Sequence, residues 1–237
     1  MTMTSKFFTS TPAILFASLI PTGLLFAGNA DKWYLESDAG INFQQDTFTT
    51  FLPSTNPINP VGETKFRPGE RVDLKVGYNL NTWIAAELEA GFVYNSITSI
   101  ASDPVSGVDF KQFPLMANMV LSRHISHNWS VYAGGGAGCI VSQWNCGINV
   151  REELSPGFPP VLLVIASPGP ATTATDFLFG YQVLAGIKYD ISRRWDFKVG
   201  YKFFATAEGH DWAMGSADVK TDATMSHSIF AALTYKF

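Results

Sequence analysis

His227-Ser228-Ile229-Phe230-Ala231-Ala232-Leu233-Thr234-Tyr235-Lys236-Phe237 is the stretch whose reading decides the fold. Ile229, Ala231, Leu233, Tyr235 and Phe237 put an apolar side chain at every second position, while the alternate positions carry polar Ser228, Thr234 and Lys236 and apolar Phe230 and Ala232. A period of two marks a strand with two unlike faces. An aromatic at the last position gains little in a soluble protein, where chain ends fray. In a strand that closes a barrel through a bilayer, it supplies a ring at the lipid–water boundary.

The rest of the composition agrees. The 237 residues suffice for one barrel or sandwich domain. They are 46% hydrophobic and 15% charged, against roughly 25% charged in an average soluble domain. No stretch after residue 30 approaches the ~18 apolar residues of a spanning helix. That leaves a large soluble β protein or a membrane barrel. Residues 1–30 read as a secretory signal: Lys6, an apolar run from Pro12 to Ala27, and the small-x-small site Gly28-Asn29-Ala30, with cleavage expected after Ala30. Removing Lys6 takes the net charge from −4 to −5, and nothing in that balance suggests nucleic acid.

Eight strands are expected, at 33–44, 71–80, 83–94, 111–123, 129–141, 177–189, 195–205 and 227–237, each near the ~9–11 residues that cross a bilayer when tilted. Their connections alternate in length. Short turns fall at 81–82, 125–128 and 190–194, and long loops at 45–70, 95–110, 142–176 and 206–226. Sorting of that kind belongs to an eight-stranded antiparallel transmembrane barrel, with short turns and both termini on the periplasmic side. Trp83, Trp129 and Trp195 each open a strand just after a short turn, and with Phe237 they read as a periplasmic girdle. The four long loops carry charges of −1, −2, −2 and −3, which makes the surface end acidic.

The polar faces hold six acids (Glu36, Asp38, Asp73, Glu87, Glu89, Asp196) and six bases (Arg71, Lys75, Lys188, Lys198, Lys202, Lys236). An eight-stranded barrel is just wide enough for side chains to fill it, and an unpaired buried charge is costly. The balanced count therefore favours a plugged polar core over a gated ion path. Gly134, Gly136 and Gly138 share one face and are expected to leave an inward gap for Lys and Glu side chains from adjacent strands. No cofactor or metal set is visible. Cys139 and Cys146 lie ~23 Å apart along a straight strand, so a disulfide, left open here, needs a chain reversal at 142–145. Loop 142–176 is the longest and holds an apolar run, Val161 to Ala166. It is expected to extend its strands or form a hairpin with that run sheltered, and it is the place where a surface ligand would bind.

Tyr201-Lys202-Phe203, Tyr235-Lys236-Phe237 and Tyr132-Ala133-Gly134-Gly135-Gly136-Ala137-Gly138, together with the architecture, resemble the small outer-membrane β-barrel family of OmpA-type transmembrane domains, OmpX and opacity-type surface antigens. The resemblance spans 31–237 and implies residence in the bacterial outer membrane, among its lipid and lipopolysaccharide. It also implies that the assembly machinery reads the last strand through Tyr235 and Phe237. The peptidoglycan-binding domain that follows such barrels in full OmpA proteins has no counterpart here, so no tether to the cell wall is implied. Two roles follow: a scaffold displaying four loops for envelope integrity, surface interaction or adhesion, or a narrow channel or carrier for small or apolar solutes. A third role, a lipid-A-modifying enzyme, is suggested by His124-x-Ser126, which superficially resembles the His-x-Ser of outer-membrane lipid-A deacylases. The following His127-Asn128 departs from that pattern, and the motif sits at the periplasmic turn rather than at the outer leaflet. No enzyme is expected.

Overall fold

The computed structural model describes residues 32–52, 61–101, 103–154, 162–214 and 217–237, without the side chains of 51–52, 61, 146–154, 162–172, 213–214 and 217–218. The signal segment expected at 1–30 lies outside the described residues. Thirteen strands follow in chain order: β1 (Trp33–Gln44), β2 (Thr47–Leu52), β3 (Val61–Phe66), β4 (Gly69–Asn79), β5 (Ile84–Ile100), β6 (Asp103–Pro104), β7 (Asp109–His124), β8 (Trp129–Leu154), β9 (Leu162–Asp190), β10 (Trp195–Thr206), β11 (His210–Met214), β12 (Ala217–Thr221) and β13 (Met225–Lys236).

Eight of them close a ring of antiparallel neighbours, β1-β4-β5-β7-β8-β9-β10-β13 and back to β1. Closure runs from Tyr34 opposite Lys236 to Gln44 opposite Ser226, and the Phe237 amide donates to the Trp33 carbonyl at 3.2 Å. Side chains follow the period-two rule around that ring until the upper end of β10, where Phe204, Ala205 and Thr206 are all buried. Leu74, Leu88, Phe179, Ile229 and Leu233 point outward and are exposed. Tyr34, Glu36, Asp38, Asn42 and Gln44 point inward from β1 and are buried. An exposed apolar band around the whole wall is stable against lipid and not against water.

The three short turns share one construction. Leu80, Ile125 and Ile191 each donate their amide to the carbonyl four residues on, at 2.9 Å. Asn81 Oδ1 accepts from the amides of Trp83 and Ile84, and Ser192 Oγ accepts from those of Arg194 and Trp195. The amides that a tight reversal would orphan are thus satisfied locally. At this end Trp33, Trp129 and Trp195 pack on Tyr78, Tyr189 and Tyr235 with ring centroids 4.8–4.9 Å apart. Such cross-strand aromatic pairs stiffen a sheet.

At the opposite end the long loops are largely ordered sheet. β8 and β9 continue as one hairpin to Leu154 and Leu162. β3, β2, β12 and β11 add to β5 in succession. β11 then comes beside β9, where Asp211 N donates to Asp176 Oδ2 at 3.2 Å and Ala207 N to the Phe179 carbonyl at 2.9 Å. The wall therefore continues above the ring as an upper tier. Its core is apolar: Ile97, Val108, Phe110, Trp144, Ala174, Trp212 and Val219. Loop 142–176 extends strands β8 and β9, as its length required. The side chains of its apolar run, Val161 to Ala166, lie outside the described residues.

Candidate functional site

The interior of the ring is filled in layers. Nearest the short turns, Lys236 Nζ bonds Asp196 Oδ1 at 2.6 Å and stands 3.5 Å from Asp190, while Lys188 lies 3.6 Å from Asp190 and 3.8 Å from Asp196. Lys188, Asp196 and Lys236 line a vestibule of about 480 Å³ at the short-turn end, together with Tyr34, Val120, Lys198 and Thr234.

In the next layer Glu36 collects Lys75 at 2.6 Å, Lys198 through a short ion pair, and the Thr234 hydroxyl at 2.9 Å. Glu87 accepts from the Tyr34 hydroxyl at 2.6 Å. Above it, Arg71 Nε bonds Asp73 at 2.7 Å and Arg71 Nη2 bonds Glu89 at 3.0 Å. Lys202 joins Asp73 and Glu89, the latter at 2.8 Å. Lys75 also reaches Asp38, at 2.7 Å. Four of these cations lie against aromatic faces: Arg71 on Phe204, Lys75 and Lys202 on Phe230, and Lys198 on Tyr34 and Tyr132. Ten of the twelve charged residues read from the polar faces are buried, while Lys188 and Lys236 keep partial exposure in the vestibule. The side chains of Arg71, Asp73, Glu89 and Lys202 have no accessible surface at all. A water-filled pore would leave accessible surface on the groups that line it, so the lumen is closed at this level.

Neutral amides complete the plug, and counting charges alone misses them. Gln182 donates to Glu89 at 3.1 Å and to Asn118 Oδ1 at 2.8 Å, and Asn118 donates to Glu89 at 3.1 Å. The glycine face of β8 explains their seat. A Cβ on Gly136 would stand 2.0 Å from Asn118 Oδ1. The inward gap exists, but an Asn lies against it where Lys and Glu were expected. A carboxamide can both donate and accept, so Gln182 donates to Glu89 and Asn118 while accepting from Arg71 Nη2 at 3.3 Å, without adding charge. Above this, Asn42 donates to Asn95 Oδ1 and accepts from the Ser228 hydroxyl, and Gln112 reaches Ser142 and Thr224. Inward Asn and Gln at strand period were the available signal.

The remaining candidates are placed as follows. Cys139 is a free thiol exposed on the outer face, and β8 runs straight through 142–145. The reversal that a bond to Cys146 requires is absent, so the disulfide reading is withdrawn. His124 Nδ1 pairs with Ser130 Oγ at 2.9 Å at the short-turn end, and Ser126 and His127 lie exposed in the turn beside it. His227 sits on the outer face against Tyr201 and Gln45. Tyr235 and Phe237 pack edge to face, with centroids 5.4 Å apart, at the closing strand's end.

His210 in the upper tier was not singled out as functional by sequence. It is fully buried, stacked on Trp212 at 4.7 Å, edge-on to Phe110, and 3.3 Å from Asp176. Burial pushes its pKa down to about 4, against the opposing pull of Asp176 and Asp211. A histidine whose folded pKa lies below its unfolded ~6.5 favours the folded state fully above pH 6.5. That contribution falls as pH drops toward 4, because the undocked hairpin takes up the proton. Protease cutting within 206–224 should therefore be flat above pH 6.5 and rise between pH 6.5 and 4, and His210→Phe should remove most of that rise. A wild-type profile that is flat across this window would refute the assignment.

The outer membrane protein beta-barrel domain matches the sequence over residues 15–237. Among solved structures, this fold is similar to surface protein A of Neisseria, at 14% identity over 86% of this chain and 97% of that one, TM-score 0.51. It is also similar to the outer membrane protein OprG of Pseudomonas aeruginosa, at 14% identity over 88% and 96%, TM-score 0.53. No curated protein matches the sequence. At such identities the likeness is one of fold.

Proposed function

Because this chain belongs to the outer membrane β-barrel domain family, we propose that it serves as a closed scaffold presenting its upper tier at the cell surface, for envelope integrity or for contact with a surface ligand. One observation carries this reading: the complete burial of the Arg71–Asp73–Glu89–Lys202 cluster across the barrel's waist. A conducting lumen needs hydrated groups at its narrowest level, and these have none. The Neisserial relative is itself called a surface protein, and the ordered upper tier offers the extended surface such a role needs.

The test separates display from transport. Deleting Gly157 to Pro170 removes the β9 side of the outermost β8–β9 pairs, from Leu154–Leu162 to Ile148–Pro168, but leaves the ladder from Cys146–Thr172 down to Trp129–Tyr189, so the barrel should still insert and shift on heated gels. Binding to cells, matrix or lipopolysaccharide should fall, and wild-type protein in planar bilayers should show no steady conductance. Binding that survives the deletion, together with steady wild-type conductance, would replace the display reading with a narrow channel.

A further inference from the structure

The outer wall at the short-turn end carries a groove of about 680 Å³ lined by Trp83, Leu121, Arg123, Val131 and Ala133. Its apolar members belong to neighbouring strands: Leu121 stands opposite Ala133 in the β7–β8 ladder, and Ser122 N donates to the Trp83 carbonyl at 2.8 Å. Trp83 differs from the three other tryptophans of this rim. Those pack on tyrosines, whereas Trp83 has no ring partner among the described residues and is 73% exposed. A wide apolar flank bounded by an indole accepts an acyl chain.

Charge defines the other end of the ligand. Arg123 lines the groove, with His124 beside it, and forms no ion pair among the described residues. Lys32, Arg193 and Arg194, exposed on the same rim, likewise have none. The rim acids Asp190 and Asp196 are already matched by Lys188 and Lys236. The short-turn end thus has a surplus of solvated cations, while the sequence makes the long-loop end acidic. An arginine at headgroup depth above an apolar seat fits a phosphate attached to acyl chains, because its planar fork pairs with phosphate oxygens.

We propose that this groove is a binding site for one anionic glycerophospholipid of the inner leaflet, with the phosphate on Arg123 and an acyl chain along Trp83, Leu121 and Val131. The inference rests on membrane insertion alone. It is independent of what the upper tier displays, so loss of surface binding leaves it untouched.

The folded full chain in neutral detergent micelles, titrated with phosphatidylglycerol and separately with phosphatidylcholine, tests it by native mass spectrometry. The first phosphatidylglycerol should bind about fivefold more tightly than phosphatidylcholine, the effect expected of one basic side chain near an anionic headgroup. Arg123→Gln should abolish that ratio, and Arg123→Lys should keep most of it. Arg194→Gln should leave it unchanged, and Trp83→Ala should weaken both lipids together. The heat-shifted gel band verifies folding of each variant. Equal binding of the two lipids by the wild type overturns the proposal, as does an unchanged ratio in Arg123→Gln. An equal loss in Arg194→Gln overturns it too, because the diffuse charge of the rim would then be the cause.

Discussion

Lys202→Met should lower barrel stability by ~3–5 kcal/mol, the cost of leaving buried charge without its partner. The ammonium of Lys202 is wholly inaccessible and bonds Asp73 and Glu89, with Asp38 3.9 Å away. Methionine keeps the volume and the packing on Phe230 but leaves three carboxylates facing one another with one cation fewer. The loss should appear as a lower urea midpoint for the heat-shifted form in lipid vesicles. Adding Glu89→Gln should recover part of it, since removing one carboxylate relieves the repulsion; the two changes are therefore non-additive. Lys220→Met is the matched control. The Lys220–Asp211 pair is exposed at 53% and 72%, and exposed pairs are worth ~0–1 kcal/mol. A Lys202→Met protein as stable as the control would mean that water reaches the cluster, and the closed-lumen reading would fall with it.

The ring was legible in the sequence because lipid outside and packed polar groups inside impose one rule on every strand. β1 begins and ends where its alternation does, and the Trp that follow short turns mark the rim. The membrane-spanning parts of β8 and β9 are bounded near 141 and 177 by sequence, with an extension or a hairpin expected beyond, and the strands run on to Leu154 and back to Leu162. The cause is a reversal of the code. In the lower ring, Leu115 faces out and Asn118 faces in. Higher on the same wall, Phe110, Trp144, Trp212 and Val219 face in, while Gln143, Asp211 and Lys220 face out. Water replaces lipid outside the wall, so the apolar face moves to the interior. A search for apolar-out strands stops where the phase inverts, and the ordered tier beyond it reads as loop. The amides Asn118 and Gln182 were missed for a different reason. Their role depends on which strands become neighbours, and that is a property of the closed ring.

Trp212→Ala should separate the two tiers. The indole is buried among Phe110, Trp144 and His210, with ring centroids 6.3, 5.7 and 4.7 Å away, and its Nε1 donates to Thr221 Oγ1 at 3.4 Å. Removing a buried Trp costs ~3–5 kcal/mol. The hydrophobic effect acts only on surface that would otherwise meet water, so that cost belongs to the tier standing in water. The ring below is held by its ladders and by a separate interior cluster of Val120, Tyr132, Leu184, Phe230 and Ala232. Protease cutting within 206–224 should rise by roughly two to three and a half orders of magnitude, since every ~1.4 kcal/mol is tenfold in an opening equilibrium. The urea midpoint of the heat-shifted band should stay close to wild type. In Lys202→Met the pattern should reverse, with a lower midpoint and little change in loop cutting below the unfolding transition. If Trp212→Ala instead lowers the barrel midpoint in step with loop protection, the tiers form one cooperative unit. A change in the displayed surface would then be felt throughout the wall, and the scaffold could not hold its shape independently of what it presents.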